Sequence, residues 1–85
     1  MVKMAGIEFD EREIIQAYFE HKYIVKYRTI YALEWCENLY GCKVYAREIY
    51  YKNFDIPLTK RGRFHLMSAS EINKLLGFEF INEKR

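Results

Sequence analysis

One proline, four glycines and two cysteines are all that this 85-residue chain holds of the residues that usually punctuate a fold. It also has no apolar run longer than a few residues. Spanning a bilayer takes ~20 consecutive apolar positions, so no membrane helix is expected. The first ten residues lack the ~7 to 15 apolar positions of a secretory signal, which points to an aqueous, cytoplasmic location. Cys36 and Cys42 do not form a CxxC pair, and no third cysteine completes a zinc site. His21 and His65 stand at no metal-ligand spacing from them. Two reduced, buried thiols are therefore expected, with no metal and no cofactor. Gly6, Gly41, Gly62 and Gly77 are isolated, which excludes a glycine-rich phosphate loop. The carboxylates read as helix caps or single exterior charges, so no convergent acid–base pair marks an enzyme. One remote catalytic option is left, a metal-free ribonuclease around His65, with Thr59 and Arg63 on the same strand side.

What the chain does contain is apolar and aromatic surface. Hydrophobic residues make up 51%, and there are eight tyrosines, six phenylalanines and one tryptophan. That excludes a disordered composition. The length suits one domain, residues 1–85, with 1–6 and 82–85 frayed at the ends. Charge is uneven along it. The first twenty residues carry two cations and five anions, whereas Lys43 to Arg63 carries six cations and two anions.

Read in order, Ile7-Glu8-Phe9 alternates as a short strand would. Asp10 with Glu13 forms a capping box, and Phe9 with Ile14 a hydrophobic staple. The helix so started presents Ile14, Ile15, Tyr18 and Phe19 as its buried stripe. It ends near Tyr23-Ile24-Val25, where β-branched residues lower helix propensity. Ala32, Trp35, Cys36 and Leu39 follow helical spacing and predict a second helix over 27–40, with Trp35 as a core anchor. Gly41 serves as its left-handed stop. Cys42, Tyr45, Ala46 and Ile49 predict a third helix, whose outer line carries Lys43, Arg47 and Tyr51. The tight connection between the two is the layout of a helix-turn-helix. Ile56 and Leu58, then Phe64 and Leu66, alternate around Lys60-Arg61-Gly62-Arg63, predicting a hairpin with a basic tip. Pro57 places its first strand at an edge. Ser68 and Glu71 form a second capping box, Ile72, Leu75 and Leu76 a buried stripe, and Gly77 the stop. Phe78 to Ile81 alternates as a terminal strand.

The fold class expected is α+β: three helices, a basic β-hairpin, then a short helix and a terminal strand. This order is similar to that of winged-helix DNA-binding domains over roughly Asp10 to Met67. The resemblance implies that the third helix enters the groove and the wing touches backbone. Lys43, Arg47 and Tyr51 would then face the groove, and Lys60, Arg61 and Arg63 would grip phosphates. A bulky, tyrosine-rich third helix and an added helix after the wing depart from that pattern, favouring phosphate contact over base reading. The expected function is a small regulatory nucleic-acid-binding domain, with DNA or RNA as partner. The alternative is a protein-interaction or homo-oligomeric module, a homodimer for instance, that uses exposed tyrosines and edge strands. A net charge of only +2 keeps both readings open.

Overall fold

Hairpins, not helices, build the middle of this protein. The computed structural model describes residues 1–39, 41–51 and 64–82, and for Asn38, Cys42 and Tyr51 the backbone alone. Strands β1 (Val2–Met4) and β2 (Ile7–Phe9) pair antiparallel as a small separate sheet. Their two-residue turn is Ala5-Gly6, both with positive φ, as a type I′ turn requires. The N-terminus is thus drawn further into the fold than a loose lead-in, and Met4 is buried. Helix α1 (Glu11–Glu20) starts where its capping box predicts. The Asp10 carboxylate accepts from the Arg12 amide at 2.9 Å, and Glu13 accepts from the Asp10 amide at 3.4 Å. Its buried side is Ile14 and Ala17, with Ile15 and Phe19 turned out to solvent.

Beyond α1 come β3 (Tyr23–Lys26), β4 (Thr29–Asn38), β5 (Gly41–Tyr51) and β6 (His65–Met67), then helix α2 (Ala69–Leu76). The second sheet is antiparallel in the order β5-β4-β3-β6. This overturns the expected three-helix, winged-helix arrangement. The second and third helices are the strands β4 and β5, and Gly41, at φ +114°, opens β5 instead of closing a helix. The physical reason lies in the residues themselves. Thr29-Ile30-Tyr31 and Val44-Tyr45 are β-branched or aromatic, the types that fit a pleated surface. Of the expected hairpin, Phe64 to Met67 supplies β6, while the tip at Lys60 to Arg63 lies outside the described residues. The expected terminal strand is also absent: residues 78–82 follow α2 without strand structure.

The large sheet carries a layer on each face. On one, α1 and the β1–β2 hairpin pack Phe9, Ile14 and Ala17 against Ile24, Leu33 and Val44. On the other, α2 places Ile72 against Val25 and Ile30, with Phe80 and Ile81 alongside. Helix α2 begins with the predicted Ser68–Glu71 capping box and stops at Gly77, φ +81°. Burying a large aliphatic side chain stabilises by about 1.5 to 3 kcal/mol. Phe9, Ile24, Val25, Ile30 and Ile72 are the largest fully buried side chains, so these five dominate the packing.

Trp35 is not the core anchor its spacing suggested; it is 37% exposed on β4. Emptying a buried aliphatic site costs about 2 to 5 kcal/mol. Ile24→Ala is therefore expected to destabilise the chain by that amount, and Trp35→Ala by clearly less. Urea unfolding of the two variants checks the order, and a larger loss for Trp35→Ala would contradict this packing.

Candidate interaction surface on the β4–β5 ribbon

Strand β3 ends its pairing early. It covers Thr29 to Ala32 of β4, and the Leu33 amide donates to the Lys22 carbonyl at 2.8 Å. From Glu34 to Asn38, β4 keeps only β5 as a ladder partner among the described residues, so the pair projects as a two-stranded ribbon. A bulge in the β4–β5 ladder between Ile30 and Tyr31 lies further back, where β3 still pairs with β4. Bulges increase local twist and re-aim the side chains that follow.

Alternation sorts the ribbon's side chains onto two faces. One face carries Trp35 against α1. Its ring lies 5.6 Å from Tyr18 and 6.1 Å from Phe19, and those two rings are 5.1 Å apart edge to face. Phe19 is 67% exposed, so the cluster presents aromatic surface to solvent. The opposite face carries Glu34, Lys43, Tyr45 and Arg47. Glu34 accepts from the Arg47 guanidinium through Nε, with a second contact from Nη2 at 3.5 Å. A groove of about 370 Å³ runs along the free edge of β4 between the two faces, walled by Tyr18, Lys22, Tyr23, Trp35, Glu34 and Arg47. Lys22 holds a left-handed φ of +70° at the end of α1, a conformation that costs roughly 1 to 2 kcal/mol in a residue with a Cβ.

The expected site residues are distributed as follows. Lys43 and Arg47 lie four apart on β5 and share a face, exposed, on a strand and not on a helix. Arg47 is already engaged by Glu34. Tyr51 ends β5 opposite Thr29, beyond the bulge that interrupts the alternation from Arg47. Lys60, Arg61 and Arg63 lie outside the described residues. His65 is half-buried in β6 opposite Val25, and Thr59 and Arg63, expected on the same strand side, fall outside the described residues. Cys36 is a free, half-buried thiol. Among the described residues no three His, Cys, Asp or Glu side chains gather as a metal would need, and no helix is long and apolar enough to cross a membrane.

Sequence reasoning missed Phe19, Tyr45, Lys22 and the exposure of Trp35. For Phe19 a signal existed. Ile14, Ile15, Ala17, Tyr18 and Phe19 span about 200° of a helix at 100° per residue, wider than one core-facing stripe. Some of that arc had to face solvent. Comparison with protein-family models, with curated proteins and with solved structures finds no match.

The Glu34–Arg47 pair is open to water, so solvent screens it and its effect is titrational more than stabilising. The hydrogen bond from Arg47 holds the Glu34 carboxyl below its ordinary range, helped by the guanidinium's charge and by Tyr45. A depressed folded-state value contributes stability above the unfolded carboxylate value, about 4.3, and loses it as pH falls through the folded value. Arg47→Met is expected to move the Glu34 midpoint upward in a carbon-detected NMR titration. An unmoved midpoint would show that Arg47 does not lower it.

Proposed function

We propose that this chain is a protein-interaction module whose working surface is the β4–β5 ribbon, acting by binding and not by catalysis. The observation that carries this reading is the outer edge of β5. It runs for eleven residues, Gly41–Tyr51, at the end of the sheet order, with no strand paired to it among the described residues. Such an edge offers a row of unsatisfied amides and carbonyls to an incoming strand. The Tyr18–Phe19–Trp35 cluster adds the aromatic anchor common at the centre of protein interfaces. Catalysis would need convergent titratable groups, and the close acid–base contact of the ribbon among the described residues, Glu34 with Arg47, is already a closed pair.

A second reading keeps the nucleic-acid partner, DNA or RNA. It is favoured by Lys43 and Arg47 on one face of β5 and by the cationic surplus between Lys43 and Arg63. The winged-helix route to it is gone with the helices. Phosphate contact from a β-ribbon needs only placed cations.

Nuclear magnetic resonance separates the two. In ¹H–¹⁵N spectra of the full chain, β-prone peptides are expected to shift the signals of Glu34–Asn38 and Gly41–Tyr51, with weak dependence on salt. Duplex DNA is expected to shift nothing at physiological salt. Shifts with DNA that weaken by roughly four to five decades of affinity per decade of salt would transfer the conclusion to the second reading, that being the slope for about five phosphate contacts. In that case Arg61→Glu with Arg63→Glu is expected to abolish the DNA shifts without unfolding the chain.

A further inference from the structure

A second groove, of about 330 Å³, is walled by Val2–Ala5 of the first hairpin and by Lys43–Ala46 of β5. Both walls are runs of consecutive residues. In a strand, neighbours point to opposite faces, so Lys43 and Tyr45 belong to one face of the sheet and Val44 and Ala46 to the other. A cavity bounded by both pairs lies along the strand's edge, not over a face. The same argument holds for Val2, Lys3 and Met4, and since no β2 residue lines the groove, it meets β1 on the side away from β2. Two strand edges thus flank one slot. Four residues of extended chain cover ~13 Å, and each wall is four residues long.

The slot also has a sign. Among the described residues its charged lining is Lys3 and Lys43, both exposed, with no carboxylate. The carboxylates closest in register are Glu8, directly across from Lys3 on the far strand, and Glu34, directly across from Tyr45 on β4 and engaged by Arg47. Lys43 stands opposite Cys36 on the ribbon, so its ladder partner is not an acid. Of the apolar wall residues, Met4 and Val44 are buried in the core, while Val2 and Ala46 are half-buried and leave methyl groups at the slot.

We propose that this slot takes an extended, acidic segment of a partner protein as an added strand between β1 and β5, its carboxylates meeting Lys3 and Lys43. The inference rests on the reading of the chain as an interaction module and names the partner's chemistry. The added strand satisfies outward amides of both edges, and alternation puts its apolar side chains toward Val2 and Ala46 while its acids stay at the rim. A second copy of this chain fits less well: antiparallel pairing of β5 on itself about Tyr45 would set Lys43 against Arg47 of the other copy, like charge against like.

The test uses the full chain and three fluorescein-labelled hexapeptides, alternating valine with glutamate, with glutamine or with lysine, followed by anisotropy. The glutamate peptide is expected to bind most tightly. Lys3→Glu with Lys43→Glu is expected to weaken it by roughly tenfold, each exposed pair contributing a factor of a few, and to improve the lysine peptide. Methylating alternate amide nitrogens of the glutamate peptide is expected to abolish binding, which separates strand addition from plain charge attraction. Equal affinity for all three peptides, or no effect of the double reversal, overturns the acidic partner while leaving the interaction module standing. Binding of the methylated peptide as tightly as its parent overturns strand addition. No binding by any peptide, with resonances of β5 unmoved, overturns both. Dimerisation in sedimentation equilibrium that the double reversal changes would place a second copy in the slot and likewise overturn the proposal.

Discussion

Ile24 and Val25 are adjacent, and neither has any surface in contact with water. On a strand, adjacent side chains leave by opposite faces, so β3 can exist only if both faces of its sheet are covered. Everything else in the fold answers that requirement. The β1–β2 hairpin and α1 close one face, and α2 closes the other. The second cover needs help, since α2 is only eight residues long. It comes from Asn73, whose side-chain oxygen accepts from the Phe80 and Ile81 amides at 2.9 and 2.8 Å and whose nitrogen donates to the Ile81 carbonyl at 2.9 Å. That clasp turns the chain back after Gly77 and sets Phe80 edge to face on Tyr50, 5.0 Å away. No ladder is needed to hold it.

The same double coverage explains what could be read from the sequence and what could not. Helix ends are local chemistry. Asp10–Glu13, Ser68–Glu71 and Gly77 needed no knowledge of the rest of the chain, and α1 and α2 begin where those residues put them. Strands buried on both faces lose the alternation that identifies them. Ile30, Ala32 and Leu33 are all buried, one side facing α2 and the other facing α1, so β4 reads as a block of apolar residues with polar gaps at Glu34 and Glu37. A block of that kind fits a helical spacing as easily as a strand. The candidate site suffered from a second degeneracy. Positions i and i+4 share a face in a helix and also in a strand, so Lys43 and Arg47 stay together under either assignment. The pairing survived, although the element carrying it did not. Tyr51 lost its place in that line because a bulge, which nothing in the local residues announces, lies between it and Arg47.

Coverage also stops before the strands do. Beyond Ala32 the ribbon has lost β3, and α2 packs further back, around Val25 and Ile30. A ribbon covered on only one face, by α1 and the first hairpin against Trp35 and Val44, would ordinarily invite aggregation, and its outer strand shows the usual deterrents: Lys43, Arg47 and Glu48 on β5 and a bulge at its base. These exclude unselected strands of like or mixed charge more than they exclude a partner of matching charge. On the proposed reading, guarding an edge and choosing its occupant are one property of the same side chains.

Where the positive charge sits bears on which partner that is. The net charge of +2 belongs to the whole chain, but the described residues hold eight cations and ten anions. The sheet and its layers are therefore slightly acidic, and the cationic surplus lies in the remaining residues. A phosphate backbone, with a charge every few ångströms, is drawn to a surface by the sum of its cations. A single added strand responds instead to the two or three charges along the edge it pairs with, because charges beyond about 8 Å are screened at physiological salt. For the described part of this protein the second condition is the one met: Lys3 and Lys43 flank one slot, while Arg47, the other cation on that face, is engaged by Glu34. Lys43 is common to both readings, and its neighbours on β1 and β5, more than the chain's total charge, favour a strand over a duplex.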